Sequence, residues 1–237
     1  MITICMISKF LKRSKKTFSS IAVGLCLILT ASLSMAKDED VMKENDPIRL
    51  PEPKREGDMS LERAIAERRS ERSYRSKQLS QEEISQILWS AQGITSDRGY
   101  RAAPSAGGLY PMELYAATEE GVFHYKPRKH RLRILAKTDL REELSQAALG
   151  QAWVREAPMV VVLCAVYERV TSKYGQRGIR YVHMEAGHIA QNIHLQAEVL
   201  GLGSVPVGAF NAKDVRSLLS LPADQEPVYI IPVGYVR

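Results

Sequence analysis

Eight consecutive residues, Met159-Val-Val-Val-Leu-Cys-Ala-Val166, carry no charged side chain, and this run constrains the fold more than any other stretch. Its length and β-branched content read as a strand buried on both faces. Such a strand needs cover on each side of its sheet. Helical and strand patterns are interleaved along the rest of the chain, which gives an α+β class with helices on both faces of a mixed sheet.

The folded unit is expected to begin near Ser60. Ser60 caps a short amphipathic helix that has Leu61, Ala64 and Ile65 on one face. Ser80-Gln-Glu-Glu83 is a capping box, with Leu79 and Ile84 placed as a hydrophobic staple. Ile84, Ile87, Leu88 and Ala91 continue that helix to Gly93. Strands are expected over 113–118, 122–125 and 131–135, then a helix over 139–149. The longest helical pattern runs from about Tyr181 to Leu200, with Val182, Ala186, Ile189, Ile193, Ala197 and Leu200 in register. A strand over 204–210, a short helix near 212–219 and a last strand over 228–233 close the chain.

The N-terminal 36 residues are of a different kind. Lys9, Lys12, Arg13, Lys15 and Lys16 precede the apolar run Ile21–Leu33, and Ser34-Met35-Ala36 offers small residues to a signal peptidase. The run has 13 residues, short of the ~20 that span a bilayer. Residues 1–36 therefore read as a cleaved secretory signal, which sends the mature chain to the periplasm or medium with no stable membrane span. Residues 37–59 are charged and contain Pro47, Pro51 and Pro53, a linker or extended arm. The net charge of +6 belongs to the leader: without its five basic residues, 28 Lys and Arg face 27 Asp and Glu. A nucleic-acid partner loses its support. Of three cysteines only Cys164 lies beyond the leader, inside the buried run, as a packed thiol with no intrachain disulfide partner.

Three stretches carry chemistry. Arg68-Arg69-Ser70-Glu71-Arg72 packs three arginines and a hydroxyl where a helix gives way to loop. Guanidinium forks match phosphate geometry, although a cluster read alone also fits a solvated charged face. Ala103-Pro104-Ser105-Ala106-Gly107-Gly108-Leu109-Tyr110-Pro111 has small residues that let backbone approach a flat ligand, or make a simple turn before a strand. It lacks both the P-loop ending and the dinucleotide glycine spacing. In Gly201-Leu-Gly-Ser-Val-Pro-Val-Gly-Ala-Phe-Asn211, Gly208 can present its amide without side-chain interference, or the segment is a strand-to-helix turn capped by Asn211. A metal site finds no support, since His183 and His188 lack a convincing set of partner ligands.

These stretches, together with Leu88–Ile94, Tyr174–Val182 and Glu185–Asn192, make the chain resemble the nitroreductase family, and in particular its SagB/ThcOx-type dehydrogenase branch, from about Ser60 to Gly234. The resemblance implies an FMN-dependent oxidoreductase that works as a homodimer, with both subunits lining each flavin. Arg68, Arg69, Ser70 and Arg72 would hold the phosphate and ribityl chain, with Arg237 the one candidate for a further C-terminal phosphate contact. Pro104, Ser105, Ala106 and Gly107 would lie along the isoalloxazine. Val207, Gly208 and Ala209 would face its redox edge, with the Gly208 amide donating to N5. Lys173-Tyr174 matches a pair implicated in proton removal, the alternative being a surface loop lysine beside a packing tyrosine. His188 and Gln191 share a helix face, expected to bury hydrogen bonds at the subunit contact. The substrate would be a small or peptide-derived molecule, with NAD(P)H as a possible co-substrate. The competing class is a non-catalytic flavin- or ligand-binding protein on the same scaffold.

Overall fold

The computed structural model describes residues 47–237, so the leader and the first part of the arm lie outside the described residues. Seven strands form one sheet: β1 (Ile48–Arg49), β2 (Met112–Thr118), β3 (Gly121–Lys126), β4 (Arg131–Ala136), β5 (Met159–Ala165), β6 (Gly203–Ser204) and β7 (Glu226–Gly234). Their order across the sheet is β1-β4-β3-β2-β5-β7-β6, and every ladder is antiparallel. Parallel pairing, which the sequence led us to expect in the sheet itself, enters among the described residues only at an isolated bridge between Ser70 and Ser204. There the arginine-rich segment joins the sheet edge.

The alternation along β5 shows why the sheet is covered twice. Met159, Val161, Leu163 and Ala165 enter one core; Val160, Val162 and Cys164 enter the other. The first core is closed by α2 (Gln81–Gln92) and α6 (Arg177–Val199), through Ile87, Leu88, Val182, Ile189 and Ile193. The second is closed by α3 (Arg141–Ala147), α4 (Ala152–Glu156) and α7 (Ala212–Leu218), through Leu144, Val154 and Val215. Burial pushes the Cys164 thiol up, which suits a packed side chain and opposes a nucleophile.

Local signals set most boundaries. Ser80 and Glu83 exchange both bonds of the capping box. α1 (Leu61–Glu67) starts at Ser60, whose hydroxyl accepts from the Arg63 N–H. Its expected buried face is a correction: only Ala64 is buried, while Leu61 is 60% and Ile65 55% exposed. The strand expected over 204–210 shortens to Gly203–Ser204 plus a single bridge at Val207, because Pro206 has no N–H to continue the ladder. The fold also starts before Ser60. Part of the proline-containing arm is an edge strand paired to β4, Leu50 is buried, and the Lys54 N–H donates to Gln86.

Candidate active site

The expected site residues fall into two groups, held at different heights on α6. The first gathers at the sheet edge. Ser70 bridges Ser204 and the Glu71 N–H donates to the Ser204 carbonyl at 3.0 Å, which sets the arginines beside the chain that leads to Gly208. Arg68 borders the buried His194, and its guanidinium makes no hydrogen bond or ion pair among the described residues. Arg69 folds back, donating to the carbonyls of Ala66 (2.9 Å) and Arg68 (2.8 Å) at the end of α1. Arg72 donates to the Ser70 carbonyl and sits 5.8 Å above the Trp153 ring. Of the two nearest acids in sequence, Glu67 is taken by Arg63 at 2.9 Å, and Glu71 forms no ion pair among the described residues. The three cations are thus left without a carboxylate.

His194, under this group, is driven down to about 4, first by burial and then by Arg68. Its Nδ1 shares a hydrogen bond with the Ser204 hydroxyl. Val207 exchanges both backbone bonds with Ile230, and the pairing stops there. No protein group among the described residues accepts the Gly208 N–H. A Cβ on Gly208 would meet only Tyr229, at 3.8 Å, so that face is open. Ala209 is exposed beside it, its carbonyl taken by Gln151. Arg237 reaches the same segment, but its Nε donates to the Tyr74 carbonyl at 2.7 Å and its fork faces Glu156 at 3.7 Å. It serves as a tie between chain end and core.

The second group surrounds a 270 Å³ cavity lined by Pro104, Ser105, Ala106, Tyr181, Met184, Glu185 and His188. A 3-10 turn over 106–108 holds Gly107 at φ 63°, a left-handed conformation that favours glycine. The close neighbour explains the residue further: a Cβ there would lie 2.8 Å from the Tyr174 hydroxyl and 3.2 Å from the Lys173 ammonium. Lys173 and Tyr174 end a helix, α5 (Glu168–Tyr174), where a loop was one of the expectations. Tyr174 packs edge-on against Tyr181 at 5.3 Å. Lys173 is exposed, so this subunit alone does not provide the desolvation expected of a basic lysine. His188 and Gln191 are likewise exposed in the single subunit and make no side-chain hydrogen bond among the described residues.

One feature of this cavity went unread in the sequence. Glu185 is 2% exposed on the buried stripe of α6, and an acid in register with Val182 and Ile189 is the signal that could have marked it. Burial lifts it to about 6, against the opposing pull of Ser105, Gln92 and Arg101. Gln92 Nε2 donates to Glu185 at 3.2 Å, and Arg101 donates to Gln92 Oε1 at 2.8 Å while lying over the Tyr110 ring. The loop expected along a flavin is therefore fixed from behind by a buried polar chain.

Among the described residues no hydrogen bond or ion pair joins the two groups. Glu185 and His194, which mark their positions on α6, are nine residues apart, or about 14 Å along the helix axis at ~1.5 Å per residue.

Comparison with known proteins fits this arrangement. The Nitroreductase family matches residues 65–235. The chain belongs to the nitroreductase family. A Methanocaldococcus jannaschii relative that carries the nitroreductase name is 42% identical over 199 residues, covering 81% of this chain and 98% of its own length. A Bacillus subtilis relative named as an FMN reductase with NAD(P)H is 25% identical, over 73% of this chain and 64% of its own. A crystal structure from Ralstonia eutropha, also named as a nitroreductase, superposes with a TM-score of 0.74 at 30% identity, over 81% of this chain and 90% of that one. Family membership makes the chain an oxidoreductase in general class. The residues also suit FMN on their own chemistry: cations without carboxylates for a phosphate, and an unused N–H on an open glycine face for a ring acceptor.

Proposed function

We propose that this nitroreductase-family chain is an FMN-dependent oxidoreductase whose flavin sites are shared between two copies of the chain, acting on a small or peptide-derived substrate in an exported setting. The observation that carries the reading is the pairing of arginines 68, 69 and 72, which no acid compensates, with a Gly208 N–H that no protein group accepts.

Bound FMN would supply two-electron hydride chemistry at N5, with NAD(P)H as the donor in the reductase direction or a substrate carbon in the dehydrogenase direction. The residues of this chain do the remaining work. Arg68 offers a free N–H fork to a phosphate and Arg72 the N–H groups its bond to Ser70 leaves unused, while Arg69, bound to three carbonyls of the α1 end, positions that segment and contributes charge. Gly208, flanked by Val207 and Ala209, offers a fixed hydrogen-bond donor that does not have to reorganise as charge develops at its acceptor. Pro104, Ser105, Ala106 and Gly107 form a narrow ledge, and Glu185, Gln92 and Arg101 hold it still. Lys173 and Tyr174 stand against Gly107 on that ledge, in reach of a proton leaving the substrate.

A second copy enters the reading because, among the described residues, no hydrogen bond or ion pair of one subunit joins the arginines to the ledge, about 14 Å away along α6. A partner's ledge meeting this subunit's arginines completes a pocket, and would also cover the exposed Lys173.

The test is a titration of apoprotein with FMN and with riboflavin. Arg68→Ala removes a guanidinium that has no structural bond of its own. A charge-assisted phosphate contact contributes roughly 1.5–3 kcal/mol, so the variant should bind FMN about ten- to a hundredfold more weakly. Riboflavin, which lacks the phosphate, should bind the unmodified chain poorly and be little affected. Equal binding of the two ligands by the unmodified chain would leave the cluster as a solvated charged face. Bound FMN that no donor reduces would favour a ligand-binding protein on the same scaffold.

A further inference from the structure

A second cavity, of 410 Å³, opens between the start of β2 and the end of β3. Its wall carries Arg101, Lys126, Arg128 and Lys129. The turn that places the last two is built: Pro127 begins a 3-10 turn, and His130 ends it at φ 44°, its ring held by Tyr125, Ser85 and the Pro51 carbonyl. Glu113 is the one acid of the lining, and it is already committed, to His124 at 2.7 Å and to Arg169 at 2.6 Å. Those two partners and burial set its balance, and it is held down to about 2, ionised throughout the neutral range. Lys126 is 3.3 Å from His124 Nε2, while Arg128 and Lys129 make no side-chain hydrogen bond or ion pair among the described residues. Burial lowers both Arg101 and Lys126, more than the ionised Glu113 nearby raises them. Between the cations the wall is apolar, from Met112, Leu114, Tyr125 and Pro127. The volume falls within the range of small-molecule sites.

We propose that this cavity binds a small organic dianion, with a phosphomonoester or paired carboxylates as its head and an apolar body against Met112, Leu114 and Tyr125. Two or more free cations in one wall favour a doubly charged head over a single carboxylate. The apolar lining favours an organic body over a bare inorganic ion. Arg101 belongs to both sites: it lines this cavity and, through Gln92, reaches Glu185 and the Ser105 ledge. An occupant here therefore sits one guanidinium away from the wall of the flavin pocket. The proposal does not require FMN to bind, since none of its lining residues belongs to the arginine 68–72 group.

The probe is phenyl phosphate, titrated calorimetrically into the protein with FMN in excess so that the arginine 68–72 group is filled, with benzoate and inorganic phosphate as the comparison arms. Phenyl phosphate should bind one site per chain, at least about tenfold more tightly than benzoate and several-fold more tightly than inorganic phosphate. Lys126→Gln and Arg128→Ala should each weaken it about tenfold, and Arg68→Ala should not. Benzoate binding as well as phenyl phosphate would overturn the dianion. Inorganic phosphate binding as well would overturn the organic body. Absence of saturable binding, or binding that survives both variants or is lost in Arg68→Ala, would overturn the site itself. Circular dichroism of each variant confirms that any loss is not unfolding, and Arg128, which is exposed, is the position where folding is least at risk.

Discussion

At the scale of the residue, Glu185 is the group whose placement has the clearest measurable consequence. Its carboxyl is buried against Gln92 and Ser105 and is raised from an ordinary 4.5 to about 6. A carboxyl raised in the folded state holds its proton there longer than in the unfolded chain. Stability from this group is therefore intact below about 4.5 and declines as pH rises through 6, by about 2 kcal/mol in all. Glu185→Gln keeps an acceptor for Gln92 and removes the titration. The variant should match the unmodified protein near pH 4.5 and exceed it by about 2 kcal/mol near pH 7, read from urea unfolding at each pH. The difference between the two proteins is the quantity to follow, because His194, lowered to about 4, gives the opposite slope between its folded and unfolded values in both. A difference that stays flat with pH would mean that Glu185 is ionised in the folded protein as easily as in the unfolded chain. That carboxyl was hidden from sequence reading for a simple reason. Its significance comes from Gln92 and Ser105, which are distant along the chain and are brought together only by the packing of α2 and the ledge on α6.

At the scale of the element, legibility followed local chemistry. The capping box at Ser80, the alternation of β5 and the stripe of α6 were all readable because each is decided within one stretch of sequence. What was unreadable needed distant partners. β1 is two residues in a proline-containing arm and exists because β4 offers an edge. α5 has Val170 as its one buried residue, too little apolar content to show a period. The turn at Gly107 lies between these cases. Its small residues pointed to close approach, and the structure identifies what approaches: Tyr174 and Lys173. Gly107→Ala should therefore act twice. Holding alanine at φ 63° costs about 1–2 kcal/mol, and the added methyl, 2.8 Å from the Tyr174 hydroxyl, must displace the Lys173–Tyr174 pair. The expected outcome is a modest drop in melting temperature with a much larger fall in turnover, while the affinity for FMN phosphate at the other end of α6 is retained. A variant that loses stability yet keeps full turnover would take Lys173 and Tyr174 out of the chemistry.

At the scale of the whole molecule, two expectations remain to be measured, and the first concerns the leader. Cleavage after Ala36 should leave a chain beginning at Lys37, which N-terminal sequencing of the envelope fraction would show; Met1 retained on a membrane-bound form would contradict it. The second is assembly, and here the structure adds an argument that the sequence lacked. Among the described residues six large hydrophobic side chains are exposed, and four of them, Leu61, Ile65, Ile179 and Met184, lie on α1 and α6, which pack on each other. The face of α1 that looked buried in the sequence is exposed in the single subunit. Gly187 has nothing within 4 Å of where its Cβ would be. A glycine in the exposed middle of a 23-residue helix costs about 1 kcal/mol relative to alanine, a cost that close approach of another backbone would offset. These side chains are about half exposed, so covering them contributes roughly 1 kcal/mol each. The protein should therefore scatter light as a particle of twice the chain mass across micromolar concentrations. Ile65→Lys combined with Met184→Lys should shift it toward monomer and weaken FMN binding together, because in the proposed site the arginines of one copy and the ledge of the other form one pocket. Arg68→Ala should weaken FMN binding and leave the mass doubled. A monomer that binds FMN with undiminished affinity would overturn the shared site, whatever the lysine variants do to the mass.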